Sequence, residues 1–89
     1  MIGVTPSESN KRIRTFTDTD KDVYLLITLH EKGDDFLGAY VIRGNHTWVL
    51  TLRSAPKLTV QKTATELRVK NSSTSNDNVS CYLIKLYST

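Results

Sequence analysis

Between residues 38 and 53 the chain reads GAYVIRGNHTWVLTLR. Ala39, Tyr40, Val41 and Ile42 form one uninterrupted apolar run and Trp48, Val49 and Leu50 a second. A strand built from either run is apolar on both faces, because successive side chains alternate across the backbone. The Gly44-Asn45 pair between them is an accepted two-residue hairpin turn, since glycine tolerates positive φ and asparagine nearly so. The pattern therefore predicts strands over 38–43 and 47–53, and two-sided apolarity implies a central sheet covered on each side.

Two flanking segments are candidates for that cover. In TDTDKDVYLLITLHEKGDD, Val23, Leu25, Ile27 and Leu29 alternate as in a strand, while Val23, Leu26, Ile27 and His30 fall at helical spacing. The ends favour helix: Thr19 or Asp20 can cap the start, Lys32 lies in the last turn, and Gly33 is placed to stop it. In VSCYLIKLYST, Val79, Tyr82, Leu83, Leu86 and Tyr87 sit at helical spacing behind a possible Asn78 cap, although the β-branched and aromatic content also suits a strand. Elsewhere RIRTF is a short extended piece anchored by Ile13 and Phe16. Leu58 and Val60, then Leu67 and Val69, alternate as a third strand and a short fourth bent away at TAT, and NSSTSNDN is a polar loop. Residues 1–11 are expected to be a flexible arm and 12–89 a single domain. The expected fold is α+β, a central antiparallel sheet flanked by two helices. The rival reading takes every segment from Val23 to Tyr87 as a strand, giving a seven-stranded all-β barrel or sandwich.

Composition changes this picture little. Eighty-nine residues allow one domain with a thin core. A net charge of +3, with the charges scattered along the chain, argues against nucleic acid as the partner. No segment approaches the length of a membrane span, so neither insertion nor export is expected and cytoplasmic residence is the default. One cysteine, Cys81, excludes an internal disulfide. Two histidines and one cysteine far apart do not make a metal site, and no nucleophile-elbow, zinc-protease or phosphate-loop pattern occurs. The chemistry expected is binding, without catalysis, metal or cofactor.

The order of elements resembles the SH2 domain. GAYVIR is similar to that family's G-S-F-L-V-R strand, WVLTLR to the strand that follows it, VYLLITLHEKGDD to its first helix and LIKLYST to the end of its second. The similarity runs from about Thr17 to Thr89 and describes a divergent member with a shortened phosphate-binding loop, in which Asn45 stands where a serine is usual. The resemblance implies a signalling module that recruits, or competes for, tyrosine-phosphorylated proteins or peptides. Arg43 would grip the phosphate through two oxygens, with Asn45, His46 and Lys57 around it, and peptide residues beyond the phosphotyrosine would run toward Leu58 and Tyr82. Read alone, Arg43 is a strand-end arginine whose head reaches water. An all-β domain would instead bind a small ligand, single-stranded nucleic acid, or other copies of itself.

Overall fold

The computed structural model describes residues 2–5, 10–31, 33–73 and 77–88. Among them the chain forms eight β-strands and no helix: β1 (Ile2–Val4), β2 (Lys11–Thr15), β3 (Val23–His30), β4 (Gly33–Arg43), β5 (Val49–Arg53), β6 (Leu58–Lys62), β7 (Glu66–Asn71) and β8 (Val79–Tyr87). A five-stranded sheet in the order β1-β8-β3-β4-β5 lies over a three-stranded sheet in the order β2-β7-β6, and every pairing is antiparallel. This is a two-layer sandwich. The α+β expectation, with helices on both sides of a central sheet, is corrected: both helical candidates are long central strands.

The corrections have local causes. In β3 the buried residues are Tyr24, Leu26 and Thr28, a period of two, so the alternation was the governing signal. Asp20, expected as a helix cap, builds a turn instead: one carboxylate oxygen accepts from the Asp22 N–H at 3.0 Å and the other from the Tyr24 hydroxyl at 2.8 Å. Gly33 opens β4 rather than closing a helix. In β8, Val79 and Cys81 point into the core and Tyr82 and Ile84 point away from it, so both faces are apolar and the run matched a helical period by saturation.

The β4–β5 turn falls where Gly44-Asn45 predicts, closed by the His46 N–H donating to the Arg43 carbonyl at 3.2 Å, but the next strand begins at Val49 and leaves Trp48 outside it. Leu58/Val60 and Leu67/Val69 form a β6–β7 hairpin in the second sheet. Ile13 and Phe16 are buried as expected. Part of the expected flexible arm is ordered, with Ile2–Val4 pairing to β8 and Val4 fully buried. Residues 6–9 of that arm, Lys32 and residues 74–76 of the polar loop lie outside the described residues.

The core lies between the sheets, with Leu26, Ile42, Val79 and Cys81 from the larger sheet facing Leu67, Val69 and Leu58 from the smaller one. Where the two layers meet beside the β4–β5 turn, the Lys62 ammonium donates to three carbonyls, those of Gly44 (2.7 Å), His46 (2.8 Å) and Thr63 (2.6 Å), and lies 4.6 Å from the centre of the Phe16 ring. Burial pushes the Lys62 pKa below the ordinary lysine value, and the nearby Asp20 carboxylate opposes that shift.

Candidate interaction surface

The larger sheet is apolar on both faces, yet among the described residues only one face is covered. On its outer side the strand registers align Ile84, Leu25, Val41 and Leu50 in one cross-strand row and Tyr82, Ile27 and Ala39 in the next. Ile84 is 49% exposed and Leu50 54%, and Leu29, Leu37 and Tyr82 are also exposed. The expectation of cover on each side is thus corrected, because no second layer lies on this face among the described residues. With strands about 4.8 Å apart and outward side chains about 6.6 Å apart along each strand, these nine side chains span roughly 300 Å² in projection. That is the size at which the largest apolar patch of a monomer is often functional. The smaller sheet provides the comparison within the same molecule: its outer side carries the row Arg12, Arg68 and Gln61, an ordinary solvated face.

The residues expected to bind phosphotyrosine divide between the two ends of β4. Arg43 ends the strand on the outer face, opposite Val23, and its Nε is buried with no hydrogen-bond partner. Asn45 and His46 are close by in the turn, where the Asn45 amide donates to the Asp18 carbonyl at 3.0 Å and the His46 ring lies 6.1 Å from that of Trp48. Lys57 is elsewhere. Its ammonium is 3.5 Å from Asp35 near the start of β4, eight residues before Arg43 and so roughly 26 Å from it along the strand. The segment carrying Asp18, Asp20 and Asp22 packs against the turn, with the Gly44 N–H donating to the Asp22 carbonyl at 2.9 Å. The expected peptide contacts do not share a surface either, since Leu58 faces the core while Tyr82 stands on the outer face of the other sheet.

A concavity opens beside the end of β3. It has a volume of about 390 Å³ and is lined by Leu29, His30, Glu31, Asn78 and Ser80. His30 Nε2 lies 3.7 Å from Asp77 Oδ1 and its ring 5.5 Å from that of Phe36, so the imidazole is packed across the end of the sandwich. Cys81 lies in the core, where burial pushes its thiol up to about 11, with Lys11 opposing, and the thiol keeps its proton at neutral pH. Among the described residues no cluster of three or more His, Cys, Asp or Glu side chains is placed to hold a metal ion, and no helix is long and apolar enough to cross a membrane.

Sequence reasoning identified the two-sided apolar runs but not the use made of them. A buried face and an uncovered one have the same composition, so no residue within the runs distinguished them. No protein-family model, curated protein or solved structure matches the chain.

Proposed function

We propose that this protein is a non-catalytic self-assembly domain, in which the apolar outer face of the β8-β3-β4-β5 sheet packs on the same face of a second copy. The observation that carries this reading is the row Ile84, Leu25, Val41 and Leu50, four aliphatic side chains aligned across four strands and left in contact with water. Stacked sheets sit about 10 Å apart, and two such faces together cover roughly 600 Å² in projection, the scale of a weak, reversible association. Charge does not oppose the contact, since both rows are uncharged through their apolar length and Arg53 follows only at the end of the second. The free, buried Cys81 suits a reducing, cytoplasmic setting. The phosphotyrosine reading retains one point in its favour, the unpartnered Nε of Arg43. It has lost the helix–sheet–helix order on which it rested.

Sedimentation across a concentration series tests the proposal. The wild-type chain should associate in the micromolar range, an order of magnitude typical of interfaces of this size. The double substitution Ile27→Lys with Ile84→Lys places two charges on the face and should weaken association at least tenfold while leaving the far-UV dichroism of a β protein unchanged. A wild-type chain that remains monomeric at every accessible concentration contradicts the reading.

A further inference from the structure

Charges that are scattered along the sequence are gathered by the fold. The strands of the smaller sheet hold six of the chain's twelve basic side chains, Lys11, Arg12, Arg14, Lys62, Arg68 and Lys70, and one of its nine acidic ones, Glu66. The rest of the chain holds six basic and eight acidic residues, so the net positive charge of the protein belongs to this sheet. Three of its six cations are engaged inside the molecule or at its margin. Lys62 caps the turn at the corner, Lys11 donates to the Gly3 carbonyl at 2.9 Å, and the Arg14 guanidinium lies 5.4 Å from the centre of the Tyr24 ring. The other three share the outer face. Arg12 and Arg68 are direct partners across β2 and β7, and Lys70 stands two residues along β7 on the same side, opposite Thr59 of β6. Like charges set directly opposite one another on two strands destabilise a sheet. Glu66 relieves part of that cost, at 3.0 Å from Arg68 and 3.7 Å from Arg12, but one carboxylate serves both guanidiniums, and Lys70 has no ion pair among the described residues. The face therefore keeps an excess of positive charge that the fold does not neutralise.

We infer that the outer face of the β2-β7-β6 sheet binds the phosphate backbone of double-stranded nucleic acid, with Arg12, Arg68 and Lys70 as the three phosphate contacts. The side chains around the cations suit that partner, because Thr59 and Gln61 are exposed beside them and hydroxyl and amide groups hydrogen-bond phosphate and sugar oxygens. What this face lacks among the described residues narrows the choice further. It exposes no aromatic ring on which an unpaired base could stack, and no large aliphatic side chain that could enter the acyl layer of a membrane. Contact is then with the backbone alone and independent of base sequence. The face lies on the opposite side of the sandwich from the apolar rows, so this contact does not depend on self-assembly.

Fluorescence anisotropy of a short labelled DNA duplex of mixed sequence, titrated with the whole chain at several salt concentrations, tests the inference. Three phosphate contacts predict that the logarithm of the association constant falls with the logarithm of salt at a slope of about −2.7, a loss of about 40-fold between 50 and 200 mM salt. Arg12→Gln combined with Lys70→Gln removes two of the three and should bring the slope to about −0.9. Lys21→Gln combined with Lys57→Gln is the control of equal net charge. Lys21 precedes β3 and Lys57 pairs with Asp35 of β4, so this variant should keep the wild-type slope. Circular dichroism checks that each variant is folded. A wild-type chain that leaves the duplex free at 50 mM salt and about 100 μM protein overturns the inference, as does a control variant that loses as much binding as the face variant. Vesicles of an anionic phospholipid, added at the same phosphate concentration as the duplex, should not displace it. Displacement would assign the face to a membrane surface instead and overturn the nucleic-acid reading.

Discussion

Replacing Lys62 by methionine should destabilise the fold by about 3 kcal/mol and lower the melting temperature by roughly 15 °C, the conversion expected for a domain of this size. Methionine preserves most of the buried stem but removes an ammonium whose three protons are all used, on the carbonyls of Gly44, His46 and Thr63. Hydrogen bonds from a charged donor contribute more than neutral ones, and the carbonyls left behind in a site with little water access keep their desolvation cost. The loss is local in sequence yet global in effect, because Lys62 ends β6 in the smaller sheet while Gly44 and His46 belong to the turn that ends β4 in the larger. Lys85→Met is the control. The Lys85 ammonium meets a carboxylate, that of Asp22 at 2.9 Å, but it is half exposed, and solvent screens such pairs so that they contribute little. Thermal denaturation followed by circular dichroism separates the two. Equal melting temperatures in the Lys62 and Lys85 variants would show that the three-carbonyl cap does not hold the layers together.

Gly44→Ala should cost about 2 kcal/mol, although its backbone has an ordinary negative φ and the residue lies in a turn that tolerates many side chains. The reason is a close approach rather than conformational freedom. A Cβ at Gly44 would lie 2.5 Å from Asp20 Cγ and 2.8 Å from the Asp20 backbone carbonyl oxygen, and the latter belongs to a segment already fixed by the hydrogen bonds of Asp20 to Asp22 and Tyr24. The segment must move, and with it the ring contact of Tyr24 and Phe16 at 5.3 Å. Since Gly44 and Lys62 share one corner, the double variant should lose less than the sum of the two single losses. Guanidinium denaturation of the two single variants and the double variant measures that coupling; strict additivity would mean the corner is two independent contacts.

These two residues also show where the sequence was legible. The letters Gly44-Asn45 located the β4–β5 turn, but glycine was read for its tolerance of positive φ, whereas its use is to admit Asp20. Lys62 gave no signal at all. Its partners come from a loop 16 and 18 residues away and from its own neighbour, and only the packing of two sheets brings them to one nitrogen. The alternation from Val23 to Leu29 was present in the sequence and was outweighed by Asp20 and Gly33, letters that serve helix ends and turns equally well. In β8, Val79 to Leu86 is too uniformly apolar for any period to be diagnostic. The candidate surface was half legible. Two-sided apolarity in AYVI and WVL was recognised, but a buried face and a face awaiting a partner have the same composition, and the difference lies in how many layers the chain can build. Arg43 drew notice as an arginine ending an apolar strand, and the structure leaves its Nε buried without a partner at the margin of that same outer face.

The most direct measurement of the central claim is the solvent accessibility of individual methyl groups, read by NMR with a soluble paramagnetic agent on the wild-type chain at a dilute and a concentrated setting. The Ile27, Ile84, Leu25 and Val41 methyls should be strongly relaxed by the agent when dilute and shielded when concentrated, while the Ile42 and Leu26 methyls, buried between the sheets, stay shielded at both. Outer-face methyls relaxed equally at both concentrations, at a concentration where sedimentation shows association, would mean that the chain assembles through another surface.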